Sequence, residues 1–437
     1  MMKLHRSFSV LLIIEVFNSV VDSFAVPPLV SAIRLAIVVL STCPLSVFSQ
    51  TVDNEAQYSP KMAPTVDAQF VRKTNDFALE LYKQIISTEK KNVVISPFSI
   101  SSCLSLAAMG ASGSTAEEML RTLKYDPEQK TLVSDNYGNV LSSLDGNKSL
   151  KIANKMYIME KYSVKQKFQD LAQKGFRSEA ELINFQDNAV AAKKINTWVE
   201  QKTNNKIKDL ISEDSLDDMT RLVLVNAIHF KGTWTHQFNP ENTRPMPFWT
   251  SETASVDVPM MNTKKHFKHG VFEELGFAAL ELTYSDSDVS MLILLPNERN
   301  GLSKLEENLQ NIDIPDLLTK MYSQEVEVFL PKFKIEFTLD LKETLEKLGM
   351  GTMFGDHADF SELLEQNEPL KVSKVVHKAF IEVNEEGAEA AAATGMIMMA
   401  MCLIIPVEFI VDHPFYFALI NKKEKLVYFN GRMQNLN

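Results

Sequence analysis

The sequence predicts an α+β fold. Three observations lead there: helical spacing of apolar residues comes early in the chain, strand-like alternation dominates late, and from about Asp67 onward no linker, low-complexity tract or internal repeat interrupts it. Residues 67–437 therefore read as one domain.

The first helix is expected in VDAQFVRKTNDFALELYKQIIS, Val66 to Ser87, where Phe70, Phe77, Leu81 and Ile85 recur at helical spacing. A Ser-Pro then opens VISPFSISSCLSLAAMGASG, whose apolar and small residues before Gly110 fit a buried helix better than an amphipathic one. Helical period returns at Val190 to Ile211 and at Leu339 to Leu348. Strands are expected in EVEVFLPKFKIEF, Glu325 to Phe337: Val326, Val328 and Leu330 face one way, and after Pro331 the set Phe333, Ile335, Phe337 alternates with Lys332, Lys334 and Glu336. LVLVNAIHF, MLILLPN, FYFALI and LVYFNGRM read as further strands, the last two joined by residues 421–425.

At 437 residues with 45% hydrophobic and 23% charged side chains, 15 Gly and 17 Pro, the composition is that of an ordinary globular chain with a large core. The net charge of −11 argues against affinity for nucleic acid or anionic membranes, because neutralising phosphates requires a basic face. Cys43, Cys103 and Cys402 are spaced for neither a metal site nor a redox pair.

The first fifty residues differ from the rest. Lys3 and Arg6 precede the apolar run Phe8 to Phe17, Arg34 precedes Leu35 to Leu40, and Val47 and Ser49 are small residues where a signal peptidase reads, which places cleavage before Gln50. Residues 1–49 thus read as a signal peptide or N-terminal leader and 50–66 as an N-terminal extension, and the secreted chain would carry −12. Pro27, Pro28 and Pro44 keep every apolar run in the leader well short of a membrane span of about 20 residues. Asn147-Lys-Ser is a glycosylation sequon usable on that route.

Catalytic signatures are missing. The sequence holds no G-x-S-x-G, H-E-x-x-H, C-x-x-C or G-x-x-x-x-G-K. His266 and His269 form an H-x-x-H in KKHFKHG, which fits a solvated loop, and the glycines of KLGMGTMFG follow a helix with one residue too many for a dinucleotide loop. Ser96, Ser99, Asn226 and His377 are polar residues inside apolar stretches. No nucleophile turn surrounds either Ser, so they are expected to be buried groups that satisfy one another's hydrogen bonds, since an unpaired one costs ~1–3 kcal/mol.

The run GAEAAAATGMIMMAMCLIIPVEFIV, Gly387 to Val411, carries eighteen uncharged residues from Ala390 to Val407. Its flanks, Glu385, Glu386 and Glu389 before and Glu408 and Asp412 after, are wrong for a membrane helix, and Thr394-Gly395 breaks the helical run. Ala388 to Gly395 is almost all small side chains that could slide between two strands, whereas Met396 to Ile405 offers the large apolar groups that a protease pocket selects. HKAFIEV lies before it as a strand that the small half could continue.

Here the sequence closely resembles the serpins, over nearly all of Asp67 to Met433. NVVISPFSISSCLSLAAMGASGSTAEEM, LVNAIHFKGTWTHQFNP, FLPKFKI, KVVHKAFIEVNEEGAEAAAAT, DHPFYFAL and FNGRM match that family's signature segments in order. The resemblance implies a serpin fold of three β-sheets and about nine helices, with an exposed reactive centre loop, about residues 385–411, that acts as a suicide substrate for serine proteases. It implies a hinge of Glu385, Glu386, Gly387, Ala388, Ala390, Ala391, Ala392, Ala393 and Thr394, small and free of Pro as in inhibitory members, with Glu389 inside it. Fourteen residues on from Gly387 it places the scissile bond between Met401 and Cys402, with Met399, Ala400, Cys402 and Leu403 as alternative cleavage points. It casts Ser96, Ser99, Asn226 and His377 as the shutter beneath the central sheet, and Trp234, Lys332 and Glu385 as the breach where the loop enters, with Lys332 and Glu385 expected to form an ion pair. Phe380 and Val383 are expected to be core residues.

The implied function is that of a secreted, extracellular, monomeric inhibitor that is not itself an enzyme and needs neither cofactor nor metal. Its expected partner is a serine protease with an apolar specificity pocket, chymotrypsin-like or elastase-like, held covalently; nucleic acid and a membrane span are not expected. Alternatives are a non-inhibitory member acting as carrier or chaperone, and an inhibitor of papain-like cysteine proteases. Lys148, Lys151, Lys155, Lys161, Lys165 and Lys167 are dispersed and Lys206 and Lys208 read as a solvated face, so no glycosaminoglycan site is expected.

Overall fold

The first described element is α1 (Ala68–Thr88), started by Asp67, whose carboxylate accepts the Phe70 N–H at 2.8 Å. Its buried stripe includes Phe70, Phe77, Leu81 and Ile85, the residues that the periodicity selects. The computed structural model describes residues 66–285, 287–366, 368–385 and 406–436, all within the unit Pro64–Asn437. The leader 1–49, and the extension 50–66 apart from Val66, lie outside the described residues.

After β1 (Val93–Ile95), the helix α2 (Pro97–Gly110) begins with Pro at its first turn and the Ser96 side chain as cap, and every one of its residues is buried. At its end Gly110 packs closely, because a Cβ there would come to 3.0 Å from Leu363 and Phe168 and these would have to give by a few tenths of an ångström. There follow α3 (Gly113–Thr122), α4 (Lys130–Ser143), β2 (Leu150–Met159), α5 (Gln166–Phe176), β3 (Ala180–Ile183), α6 (Asn188–Lys202) and β4 (Leu222–Phe230). The helix expected to continue to Ile211 stops at Lys202, where Asn204 and Asn205 take left-handed backbone conformations that helices do not propagate through.

The second half is mainly strands: β5 (Arg244–Trp249), β6 (Ser255–Phe272), β7 (Phe277–Thr283) and β8 (Val289–Pro296), then the short helices α7 (Leu302–Asn308) and α8 (Ile314–Thr319). β9 (Tyr322–Pro331), β10 (Phe333–Asp340), α9 (Lys342–Lys347), β11 (Lys374–Val383), β12 (Val407–Ile410), β13 (Phe415–Asn421) and β14 (Val427–Met433) complete it. The helix expected from Leu339 is shorter, since Leu339 and Asp340 finish β10. The described residues thus hold nine α-helices, the number the resemblance implies.

Two hydrogen-bonded sheets form. One has five strands in the order β10-β11-β4-β2-β3. The other has nine, because the eighteen-residue β6 pairs with β7 at its C-terminal end and with β5 and β9 along the remainder. The second and third sheets of the expected architecture are therefore joined through one long strand. KKHFKHG lies in that strand and is not a loop: His266 is exposed, whereas His269 is buried and its Nδ1 lies 2.8 Å from Gln324 Nε2.

Candidate functional site

The five-stranded sheet has a seam in its middle. β11 and β4 run parallel, paired from Lys374 with Val223 to Ile381 with Phe230, while their outer neighbours β10 and β2 are antiparallel to them. Parallel ladders are slightly weaker per residue than antiparallel ones. β4 is buried along its whole length, and α2 lies beneath the sheet.

Ser96, Ser99, Asn226 and His377, all fully buried, come together under this seam. His377 is directly opposite Asn226 in the parallel register, and its Nδ1 lies 2.5 Å from Asn226 Oδ1. The Ser96 N–H donates to His377 Nε2 at 3.3 Å, so the ring proton sits on Nδ1 and is given to Asn226. Ser96 Oγ donates to the Tyr428 carbonyl at 2.6 Å and accepts the Ser99 N–H at 3.2 Å. Asn226 Nδ2 donates to Ser99 Oγ at 2.6 Å and to Asn154 Oδ1, which also receives Ser99 Oγ at 3.1 Å. Both ring nitrogens of His377 are engaged in its neutral form, and burial holds its pKa down to about 3.

Asn154, on β2 opposite Asn226, completes the network and was missed by the sequence reading. It carries the signal that marked Asn226, a polar residue within an apolar strand, KIANKMYIM.

At the end of β11 stands a second cluster. Trp234 Nε1 donates to the Asn384 carbonyl at 2.9 Å, and the indole stacks on Tyr284 at 4.3 Å between centroids. Buried Glu385 receives Lys332 Nζ at 2.7 Å and Thr243 Oγ1 at 2.7 Å. Burial pushes the Glu385 carboxyl up, but the Lys332 and Thr243 hydrogen bonds outweigh it and hold it below its ordinary range. Lys332 is fixed between the two sheets, its N–H donating to the Pro259 carbonyl at 2.9 Å. Phe380 and Val383 are buried, Phe380 against the His229 ring.

The bait, Met401 and Cys402, and the hinge from Glu386 to Thr394 lie outside the described residues; Glu385 is the last described residue before them and Pro406 the first after them. Asn147 sits in the turn between α4 and β2, its Oδ1 accepting the N–H groups of Ser149 and Leu150 at 2.8 and 3.0 Å. Of the lysines counted as dispersed, Lys155 is buried. Among the described residues, no cluster of three His, Cys, Asp or Glu is placed to hold a metal, and no helix is long and apolar enough to cross a membrane.

A family profile described as serpin (serine protease inhibitor) matches residues 72–436. The chain belongs to the serpin family. Serine protease inhibitor 42Dd of Drosophila melanogaster is 41% identical over 358 residues, which cover 81% of this serpin and 94% of that protein. Neuroserpin of Gallus gallus is 36% identical over 371 residues, 82% and 90% of the two chains. The solved structure of cleaved Serpin 42Da superimposes with a TM-score of 0.76 at 40% identity, covering 85% of this chain and all of that one. The fold is that of the serpins, and the relatives include serine protease inhibitors.

Proposed function

We propose that this serpin is a secreted, monomeric, extracellular inhibitor that traps a chymotrypsin-like or elastase-like serine protease as a covalent acyl-enzyme. The observation that carries the reading is the parallel β4·β11 seam with Glu385 at its end, leading straight into the small-residue hinge. A chain that leaves β11 and folds back into the seam runs antiparallel to both β11 and β4, so it replaces one parallel ladder with two antiparallel ones. A dozen added backbone bonds at ~0.5–1.5 kcal/mol each amount to on the order of 10 kcal/mol. The uncleaved fold is then metastable, and its persistence is kinetic.

The protease serine attacks the Met401 carbonyl carbon, the bond to Cys402 breaks, and the protease histidine gives its proton to the leaving Cys402 amine. The acyl ester that remains tethers the protease to the freed segment. Entry of Ala388, Ala390, Ala391, Ala392, Ala393 and Thr394 into the seam drags the protease along and distorts it before water can deacylate it. In this reading His377, Asn226, Ser99 and Ser96 form a shutter that must part, and Trp234, Lys332 and Glu385 the breach where parting starts. No Arg or Lys occurs from Glu386 to Asp412, which disfavours trypsin-like targets. Asn147 is the proposed glycosylation site, and the mechanism needs no cofactor.

The test is to mix the protein with chymotrypsin and with elastase, look for a complex that survives SDS, and sequence the released C-terminal peptide. A stable complex with a peptide that begins at Cys402 is expected. Clean cleavage without complex by both proteases would contradict the proposed target class.

A further inference from the structure

Helices α4 and α5 lie against each other at two glycines. A Cβ on Gly175 would fall 2.1 Å from Ser134 Oγ, and one on Gly138 would fall 3.2 Å from the Lys174 carbonyl oxygen. Along this contact runs a groove of about 860 Å³, a size that suits a small molecule, since such sites span ~300–1,000 Å³. Its floor is apolar, with Phe168 and Met109 buried and Leu171 half-buried.

Two features of the groove lack a partner. Ser134 is 8% exposed, and its hydroxyl, on the groove wall, has no hydrogen bond among the described residues. A side chain so far removed from water is ordinarily bonded. Lys130, four residues earlier on the same face of α4, is half-buried, and its Nζ donates to the Ala111 carbonyl at 2.9 Å. Burial holds its pKa below the ordinary value, with Glu362 nearby opposing the shift. Lys130, Lys167 and Lys174 all line the groove, and none of them has an ion-pair partner among the described residues. In a chain of net charge −11, three unpaired cations beside an apolar floor are complementary to an anion with an apolar body. Asp135 and Glu362 also stand on the rim, where they would repel a polyanion more than a single charge.

We propose that the groove between α4 and α5 binds an amphipathic monocarboxylate of the long-chain fatty acid class. The chain lies over Phe168, Met109 and Leu171. The carboxylate is held by Lys130 and Lys167 and receives the Ser134 hydroxyl, which gives both unpartnered features a ligand. This binding is independent of the inhibition reading above, because it uses neither the seam nor the loop.

The test is a fluorescence titration of the full protein with cis-parinaric acid below its micelle concentration, with oleate and oleyl alcohol as competitors. Wild type is expected to show saturable binding of one molecule, and oleate to displace it at least about ten-fold better than oleyl alcohol. The double variant Lys130→Met, Lys167→Met should weaken binding about ten-fold and lose the preference for oleate, and Lys130→Arg, Lys167→Arg should keep both. Thr131→Trp, which sets a ring into the groove, should abolish binding, whereas Lys304→Met, on α7 outside the groove, should leave it unchanged. Urea midpoints measured alongside separate a lost site from a lost fold. No saturable binding to wild type would overturn the proposal. So would equal displacement by oleyl alcohol, or unchanged binding in both the double Met variant and Thr131→Trp.

Discussion

His377 and Asn226 face each other across the seam of the five-stranded sheet, with Nδ1 and Oδ1 2.5 Å apart. That contact ties β11 to β4 beneath the sheet, and the neutral ring anchors it to α2 by accepting the Ser96 N–H at Nε2, a bond that a proton on Nε2 would replace with a clash of two donors. A strand entering between β4 and β11 has to break it.

Acid should therefore loosen the seam. Burial holds the folded pKa of His377 at about 3, against 6.5 in the unfolded chain, so between these values the unfolded state binds the extra proton. The stability it contributes is full above pH 6.5 and erodes as pH falls toward 3. Melting temperature measured across that window should fall for wild type and fall less steeply for His377→Asn. Parallel curves would show that His377 is not the titrating group.

Asn154→Ala should be costly although it removes a small side chain. It leaves Ser99 Oγ and Asn226 Nδ2 each short of the acceptor they share, at ~1–3 kcal/mol for an unpaired buried group. Urea unfolding should show a loss in that range and faster conversion to inserted or polymeric forms on warming. A loss below about 0.5 kcal/mol would place Asn154 outside the network.

Just beyond the end of β11, the two partners of one ion pair should respond unequally. Lys332 is 38% exposed and Glu385 9%, so Lys332→Met strands a buried carboxylate, whereas Glu385→Gln leaves a solvated ammonium and an amide that still reaches Thr243. Solvent screening keeps both effects small, about 1 kcal/mol for Lys332→Met and less for Glu385→Gln. Equal losses in urea unfolding would mean that burial of Glu385 does not matter there.

Much of this was legible in the sequence wherever the signal is local. The stripe of α1, the all-buried α2 and the polar residues in apolar runs needed no partner to be recognised. What escaped depends on neighbours far away in the chain. Pro331 divides one alternating stretch between β9 and β10, which belong to different sheets, and the stretch itself does not reveal that. KKHFKHG reads as a loop because both of its faces carry charge, and it is a strand because β9 supplies the ladder. Lys155 and Lys378 look like surface lysines, and both are buried, Lys155 beside the Trp198 ring of α6 and Lys378 against the Lys208 carbonyl.

The cysteines give a chemical check. Burial pushes the Cys103 thiol up to about 12, so it should stay unlabelled by maleimide in the native protein, and peptide mapping should find label at Cys402 and none at Cys103. Label on Cys103 before unfolding would contradict the packing of α2.

The proposed bait is rich in methionine. Met396, Met398, Met399 and Met401 lie within six residues, and a sulfoxide at Met401 would be polar where the proposed apolar pocket would have to accept it. Mild oxidant should weaken inhibition of chymotrypsin or elastase. Unchanged inhibition after confirmed oxidation of Met401 would refute that bond as the bait.

The claim on which the rest depends is that the seam accepts the loop. The most direct measurement is the melting temperature before and after a single cut in the loop, with hydrogen exchange followed on β4 and β11. Insertion predicts a sharp rise in melting temperature and new protection along both strands. An unchanged melting temperature, with exchange on β4 and β11 as before, would mean that the seam stays shut and that this serpin works in another way.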